Sequence, residues 1–211
     1  RIRIEGPGDF YGGVTARRLA EGAAAAGGPL DLRDLQAYEP VWRPAIEVEG
    51  AGVTAHFPPP PPPAGMVAAS MWAMLTARDR YEDANRVERA HLLADVTARA
   101  LADRQRWEPR LAAGDPGAQA LVGRAATAEL MEGYDPDRRT PAADLGLSAQ
   151  PAPENPAAAS FIAADVTGLA VACQVTANNL FGTGRVAAGT GIVLASTPGP
   201  GGRGATALGP M

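Results

Sequence analysis

The segment Asn155–Leu194, NPAAASFIAADVTGLAVACQVTANNLFGTGRVAAGTGIVL, restricts what this chain can fold into more than any other stretch. Apolar runs of strand length alternate with glycine-rich turns and end in FGTG and GTG. Ala158–Asp165 and Leu169–Thr176 flank Val166-Thr167-Gly168, which has the length and composition of a tight hairpin turn. Arg185–Ala188 and Ile192–Ala195 are expected to follow as two more strands. Pro198–Gly204, rich in glycine and proline, reads as an exposed loop.

Ahead of that block the pattern is mostly helical. Arg1–Glu5 alternates arginine, isoleucine and glutamate with period two, which predicts a half-buried strand broken by Gly6-Pro7-Gly8-Asp9. Val14–Ala26 predicts a helix with Val14 and Leu19 on its inner side, stopped by Gly27-Gly28. Asp31 is placed to cap a short helix over Leu32–Tyr38 that Pro40 closes. Ile46–Phe57 reads as a hairpin.

Six consecutive prolines, Pro58–Pro63, must form polyproline II, because φ is fixed and no amide donor remains. They read as a rigid lead-in to a helix over Ala64–Arg80, whose Met66, Val67, Met71, Trp72, Met74 and Leu75 form a core face. The alternative is a ligand for an SH3-type module. Ala84–Trp107 carries the longest helical pattern, with His91 on or beside its apolar stripe as a packed residue. Pro109 and Gly114-Asp115-Pro116 end that region, Ala118–Glu132 predicts another helix, and Gly133–Asn155 reads as a loop or linker.

Composition excludes several functions. A chain of 211 residues suffices for one sizeable core, and a net charge of −4 gives no basic footprint for nucleic acid. All 19 basic residues are arginine, so no lysine serves as base or Schiff-base former. Cys173 is alone, which rules out an internal disulfide and argues against a cysteine metal site; its apolar neighbours predict a buried strand residue. No apolar run reaches the length of a membrane span. No cofactor or metal is expected.

Four stretches, in order, resemble the gamma-glutamyltranspeptidase family of N-terminal-nucleophile hydrolases. Gly8–Tyr38, with its Phe-Tyr, helix, Gly-Gly and Leu-x-Asp-Leu-x-x-Tyr, resembles a large-subunit segment. HFPPPPPPAG (His56–Gly65) lies where the family has three prolines, small hydroxyl residues and glycines, and HLLADVTARALADR (His91–Arg104) is similar to its long helix. The strand block is similar to the start of the small subunit. That strand opens in the family with two threonines, a histidine, an aromatic residue and then an aspartate. Here the positions hold Ala158, Ala159, Ser160, Phe161 and Asp165.

The resemblance implies a mixed α/β (α+β) fold, the four-layer α/β/β/α sandwich of these hydrolases, incomplete at both ends. Residues 1–132 would be a large-subunit-like helical and hairpin segment, 133–155 a linker and 156–211 the small-subunit-like strand block of one intertwined domain. The family's carboxylate-binding arginine would precede Arg1 and its oxyanion glycines would follow Met211, so the chain reads as an internal piece of a longer ancestor or precursor.

The family chemistry needs a threonine that is freed by self-cleavage, attacks a γ-glutamyl amide through its hydroxyl and uses its own amine as base. An oxyanion hole stabilises the intermediate. Ala158 at the nucleophile position has no hydroxyl, so no catalytic residue is assigned. Thr176 and Asn178 match positions that orient the threonine and bind the substrate's amino-acid end, and they are the substrate-binding candidates. The asparagine pair after Gly191-Ile192-Val193-Leu194 is replaced by Ala195 and Ser196, the next glutamine and aspartate by Thr197 and Pro200, and a later serine pair by Thr206 and Ala207. Losing the aspartate removes a charge-assisted bond to the substrate ammonium.

The expectation is therefore an inactive, unprocessed homologue acting as a binding or scaffold subunit. Its partners would be a γ-glutamyl small molecule and another chain completing the fold. The alternative is an active γ-glutamyl transferase or hydrolase acting on glutathione or related amides, with Ala158 an engineered change or the nucleophile elsewhere. Ser160 would be such a nucleophile if cleavage fell before it, but a shift of two residues moves it roughly 6–7 Å along the strand, outside reaction geometry, and the residue reads rather as a solvent or ladder-edge serine. His91, Asp95 and Asp103 on the long helix are another candidate set.

Overall fold

The computed structural model describes residues 2–60, 62–147 and 158–196. In chain order the helices are α1 (Ile2–Glu5), α2 (Gly8–Tyr11), α3 (Val14–Ala25), α4 (Leu32–Gln36), α5 (Pro63–Thr76), α6 (Arg80–Asp83), α7 (Arg86–Ala112) and α8 (Arg124–Leu130). The strands are β1 (Ile46–Gly50), β2 (Val53–Phe57), β3 (Ala158–Ala164), β4 (Ala170–Thr176), β5 (Val186–Ala187) and β6 (Ile192–Val193). They form three antiparallel two-stranded ladders, β1-β2, β3-β4 and β5-β6. The chain divides into two compact units, residues 43–152 and residues 1–42 together with 153–211.

In the 43–152 unit, α5 packs on α7 and on β1, burying Met66, Met74, Leu92 and Val96 at 2% exposure or less. Full burial of such a side chain contributes about 1.5–3 kcal/mol. The proline run leads directly into α5, with Pro63 at the first helical position, where a missing amide costs nothing. The helix ends at Thr76, short of Arg80, because Ala77 is extended at ψ 121° and the chain then reverses.

The long helix α7 starts from a capping box. Asn85 Oδ1 accepts from the amides of Val87 at 2.9 Å and Glu88 at 3.2 Å, and Glu88 Oε2 accepts from the Asn85 amide at 2.8 Å. It runs to Ala112, through Pro109 and past the expected end at Trp107. Proline removes one backbone bond, but Trp107 and Leu111, four apart, are both buried on the same face and hold the last turns in place. The helix expected over Ala118–Glu132 is instead a 3-10 segment, Gly117–Val122, followed by α8, because Gly123 between them is extended.

In the other unit, α3 buries Ala16, Leu19 and Ala23 against Leu35, Ala187 and Leu194. Val14, expected on the inner side, is 39% exposed. Gly27 takes φ 79° and the Gly28 amide reaches the Ala23 carbonyl at 2.8 Å, which closes the helix as expected. Asp31 caps α4 with a second capping box, completed by Asp34. The strand expected at Arg1–Glu5 is one turn of helix, α1. Five alternating residues make a strand only with a ladder partner, and none pairs there among the described residues; Ile4 is left 79% exposed.

Gly22 shows what the α3 contact demands. A Cβ placed there would lie 2.7 Å from the Ala187 Cβ. Alanine at an exposed helix position gains about 1 kcal/mol over glycine. Overpacking costs about 1–3 kcal/mol. Gly22→Ala is therefore expected to lower the melting temperature measured by circular dichroism; a raised value would show that the contact yields freely. Among the described residues, no helix is long and apolar enough to cross a membrane.

Candidate functional site

The candidate site is built on the β3-β4 hairpin. Its turn is held by one carboxylate: Asp165 Oδ1 accepts from the Thr167 amide at 2.8 Å, the Thr167 hydroxyl at 2.7 Å and the Leu169 amide at 3.1 Å. Gly168 at φ 92° completes the reversal. The Thr167 side-chain bond first, and then the backbone amides, hold the Asp165 carboxyl below its ordinary value. A depressed carboxylate stabilises the turn above the ordinary aspartate value of about 4 and loses that effect as pH falls through the folded value. The Thr167 and Leu169 amide resonances are accordingly expected to shift together below about pH 4; constant resonances down to pH 2 would contradict this role.

The turn sets the register. Ala158 pairs with Thr176, Ser160 with Gln174 and Phe161 with Cys173. Position 158 thus lies directly across the ladder from Thr176, at a Cα separation of about 4.5–5.5 Å. Thr176 Oγ1 accepts from the Asn178 amide at 3.0 Å. Asn178 sits at φ 60°, and its Nδ2 donates to the Ser196 carbonyl at 2.9 Å. The Ser196 amide returns a bond to the Ala177 carbonyl at 3.0 Å. Thr176, Asn178 and Ser196 are therefore brought together by the end of β4 and the segment after β6.

That second segment is tied back by Thr183, whose amide donates to the Leu194 carbonyl at 2.9 Å and whose hydroxyl donates to it at 3.1 Å. Gly182, at φ 58°, passes so close to the Leu194 carbonyl that no Cβ fits. The strands here are only Val186–Ala187 and Ile192–Val193, shorter than expected, because turn bonds from Thr183 and Thr190 take over the adjoining backbone. Thr183 lies in the FGTG turn, but its bonds to Leu194, like the Asn178–Ser196 link, join residues more than ten positions apart and leave no local sequence signal. Thr197, Pro200, Thr206 and Ala207 lie outside the described residues.

Ser160 is exposed and shares a ladder face with residue 158, two positions away. Cys173 is half-buried, not fully buried, because the hairpin exposes much of both faces. On α7 the set His91, Asp95 and Asp103 does not converge. Asp95 pairs with Arg99 and Asp103 with Arg106, while the His91 ring packs 5.9 Å from that of Tyr134. Each carboxylate is instead engaged by a guanidinium three or four residues further on, in a charge-assisted bond.

These elements make the chain a mixed α+β protein with the fold of N-terminal-nucleophile hydrolases. It is similar to the structure of a gamma-glutamyltranspeptidase from Pseudomonas nitroreducens complexed with L-DON, with a TM-score of 0.58, 26% identity and coverage of 69% of this chain and 44% of that one. It has the same fold as cephalosporin acylase from Bacillus halodurans, with a TM-score of 0.65, 22% identity and coverage of 93% and 34%. The gamma-glutamyltranspeptidase family signature matches residues 1–197, and the chain belongs to that family.

Two sequence relatives are the glutathione hydrolase proenzyme of Escherichia coli K12, 28% identical over 92% of this chain and 33% of the relative, and the acylase ACY 1 proenzyme of Pseudomonas sp. strain V22, 30% identical over 91% and 34%. The chain spans about a third of the length of these curated relatives.

Proposed function

We propose that this chain is an uncleaved, catalytically inactive member of the family that serves as a binding or scaffold subunit. The observation that carries this reading is the residue at position 158. It stands across the ladder from Thr176, where the family places its threonine, and it is alanine. An alanine supplies neither the hydroxyl for self-cleavage nor the nucleophile for acyl transfer.

The Thr176–Asn178 link is the γ-glutamyl-binding remnant in this reading, holding a ligand without turning it over. The hairpin supports a protein partner. Phe161, Ile162, Val171 and Val175 are each more than half exposed, and apolar faces on both sides of a two-stranded ladder call for cover from another chain.

The test is glutathione hydrolysis by the pure chain, followed as released glutamate. No release above the buffer blank is expected. Turnover would overturn the proposal in favour of an active γ-glutamyl hydrolase whose nucleophile lies elsewhere.

A further inference from the structure

The 43–152 unit contains a cavity of about 840 Å³ that has no part in the hairpin site. Its lining includes Arg78 from the turn after α5, Arg80 from the start of α6, Arg124 from the start of α8, Gln119, and Glu47 and Glu49 from β1. The turn is strained. Arg78 and Asp79 are successive residues at φ 57° and 55°, a left-handed backbone that aspartate tolerates and arginine does not favour. Such geometry persists where the surroundings impose it, and it clusters at ligand sites.

Charge is the second observation. Among the described residues none of the three arginines forms an ion pair. Arg80 is half-buried and tethered, its Nη1 donating to the Ala77 carbonyl at 3.2 Å. Burial, and then the like charge of Arg78, hold the Arg80 guanidinium below its ordinary value against an opposing influence from Tyr134. Three arginines and two glutamates are the charged residues of the lining, which leaves it net positive. The β1 wall limits what fits. Glu47 Oε1 lies 3.5 Å from His56 Nδ1, whereas Glu49 has no ion pair among the described residues. An occupant therefore sets its anionic end among the arginines and offers hydrogen-bond donors toward Glu49.

We propose that Arg78, Arg80 and Arg124 form a binding site for a small molecule bearing a phosphate or carboxylate group. Guanidinium forks suit both groups, since each offers two oxygens to paired N–H donors.

The test titrates the full chain at low salt with inorganic phosphate and, separately, with citrate, reading heat by calorimetry and stabilisation by thermal shift. The Arg78→Gln/Arg124→Gln variant is run alongside; both residues are exposed, so the fold is retained, and circular dichroism verifies this. Saturable binding at one site is expected, weakened at least about tenfold in the variant and weakened further by added salt. Stronger binding of phosphate would identify a phosphate ester as the ligand class, and stronger binding of citrate a carboxylate. Equal affinity in the two proteins, or neither heat nor stabilisation with either probe, would overturn the proposal.

Discussion

Arg99→Ala is expected to destabilise the 43–152 unit by about 3–5 kcal/mol, the usual cost of removing one partner from a buried ion pair. Arg99 and Asp95 are 5% and 6% exposed, and the guanidinium Nε donates directly to Asp95 Oδ1. The same guanidinium also binds the carbonyls of Leu130 at 2.6 Å and Glu132 at 2.9 Å and the Thr140 hydroxyl at 3.1 Å, pinning the loop after α8 to α7. Burial opposes the charge on Asp95, but the hydrogen bonds from Arg99 and Thr140 outweigh it and keep the carboxyl below its ordinary value. Stability from this pair is thus present above the ordinary aspartate pKa of about 4 and lost as pH falls through the lowered folded value.

In Arg99→Ala the sign reverses, since a buried carboxylate without its partner is relieved by protonation. Urea unfolding followed by tryptophan fluorescence at pH 7 and at about pH 2–3, below the ordinary aspartate value, reads both effects. A loss under 1 kcal/mol at pH 7 would mean that water reaches the pair and screens it, as at a surface bridge.

Trp107→Ala is expected to cost about 3–5 kcal/mol, while Trp107→Phe should cost less than about 1.5 kcal/mol. The indole is 3% exposed in the core that α5 and α7 share, and its Nε1 has no hydrogen-bond partner among the described residues. Alanine leaves a cavity at the point where the helix passes Pro109. Phenylalanine keeps most of the volume and removes an unsatisfied buried donor, so its two effects oppose each other. The measurement is again urea unfolding. A phenylalanine variant as unstable as the alanine one would show that the N–H finds a partner after all.

Local pattern carried much of the fold. The β1-β2 hairpin follows from a loosely alternating run around a glycine turn and the β3-β4 hairpin from apolar runs on either side of a tight turn, and the pairing of residue 158 with 176 follows from where the Asp165–Leu169 turn falls. The capping residue Asp31 acts within three positions of itself, as does Asn85, which the expected start at Ala84 places inside its helix. Failures came where distant contacts decide. Arg1–Glu5 has a strand's pattern without a strand's partner. Pro109 reads as a stop, yet the burial of Trp107 and Leu111 carries α7 past it.

The same holds at the sites. Asn178 meets Ser196 across 18 positions, and Arg124 joins Arg78 and Arg80 from more than 40 positions away. In a chain whose basic residues are all arginine, neither juxtaposition leaves a mark on composition.

The measurement that bears most directly on the central proposal is the intact mass of the purified chain, taken with nitroaniline release from γ-glutamyl-p-nitroanilide. An uncut chain that releases nothing is the predicted result. Two fragments with a new N-terminus between Pro156 and Phe161, together with turnover, would contradict the proposal and identify the true nucleophile.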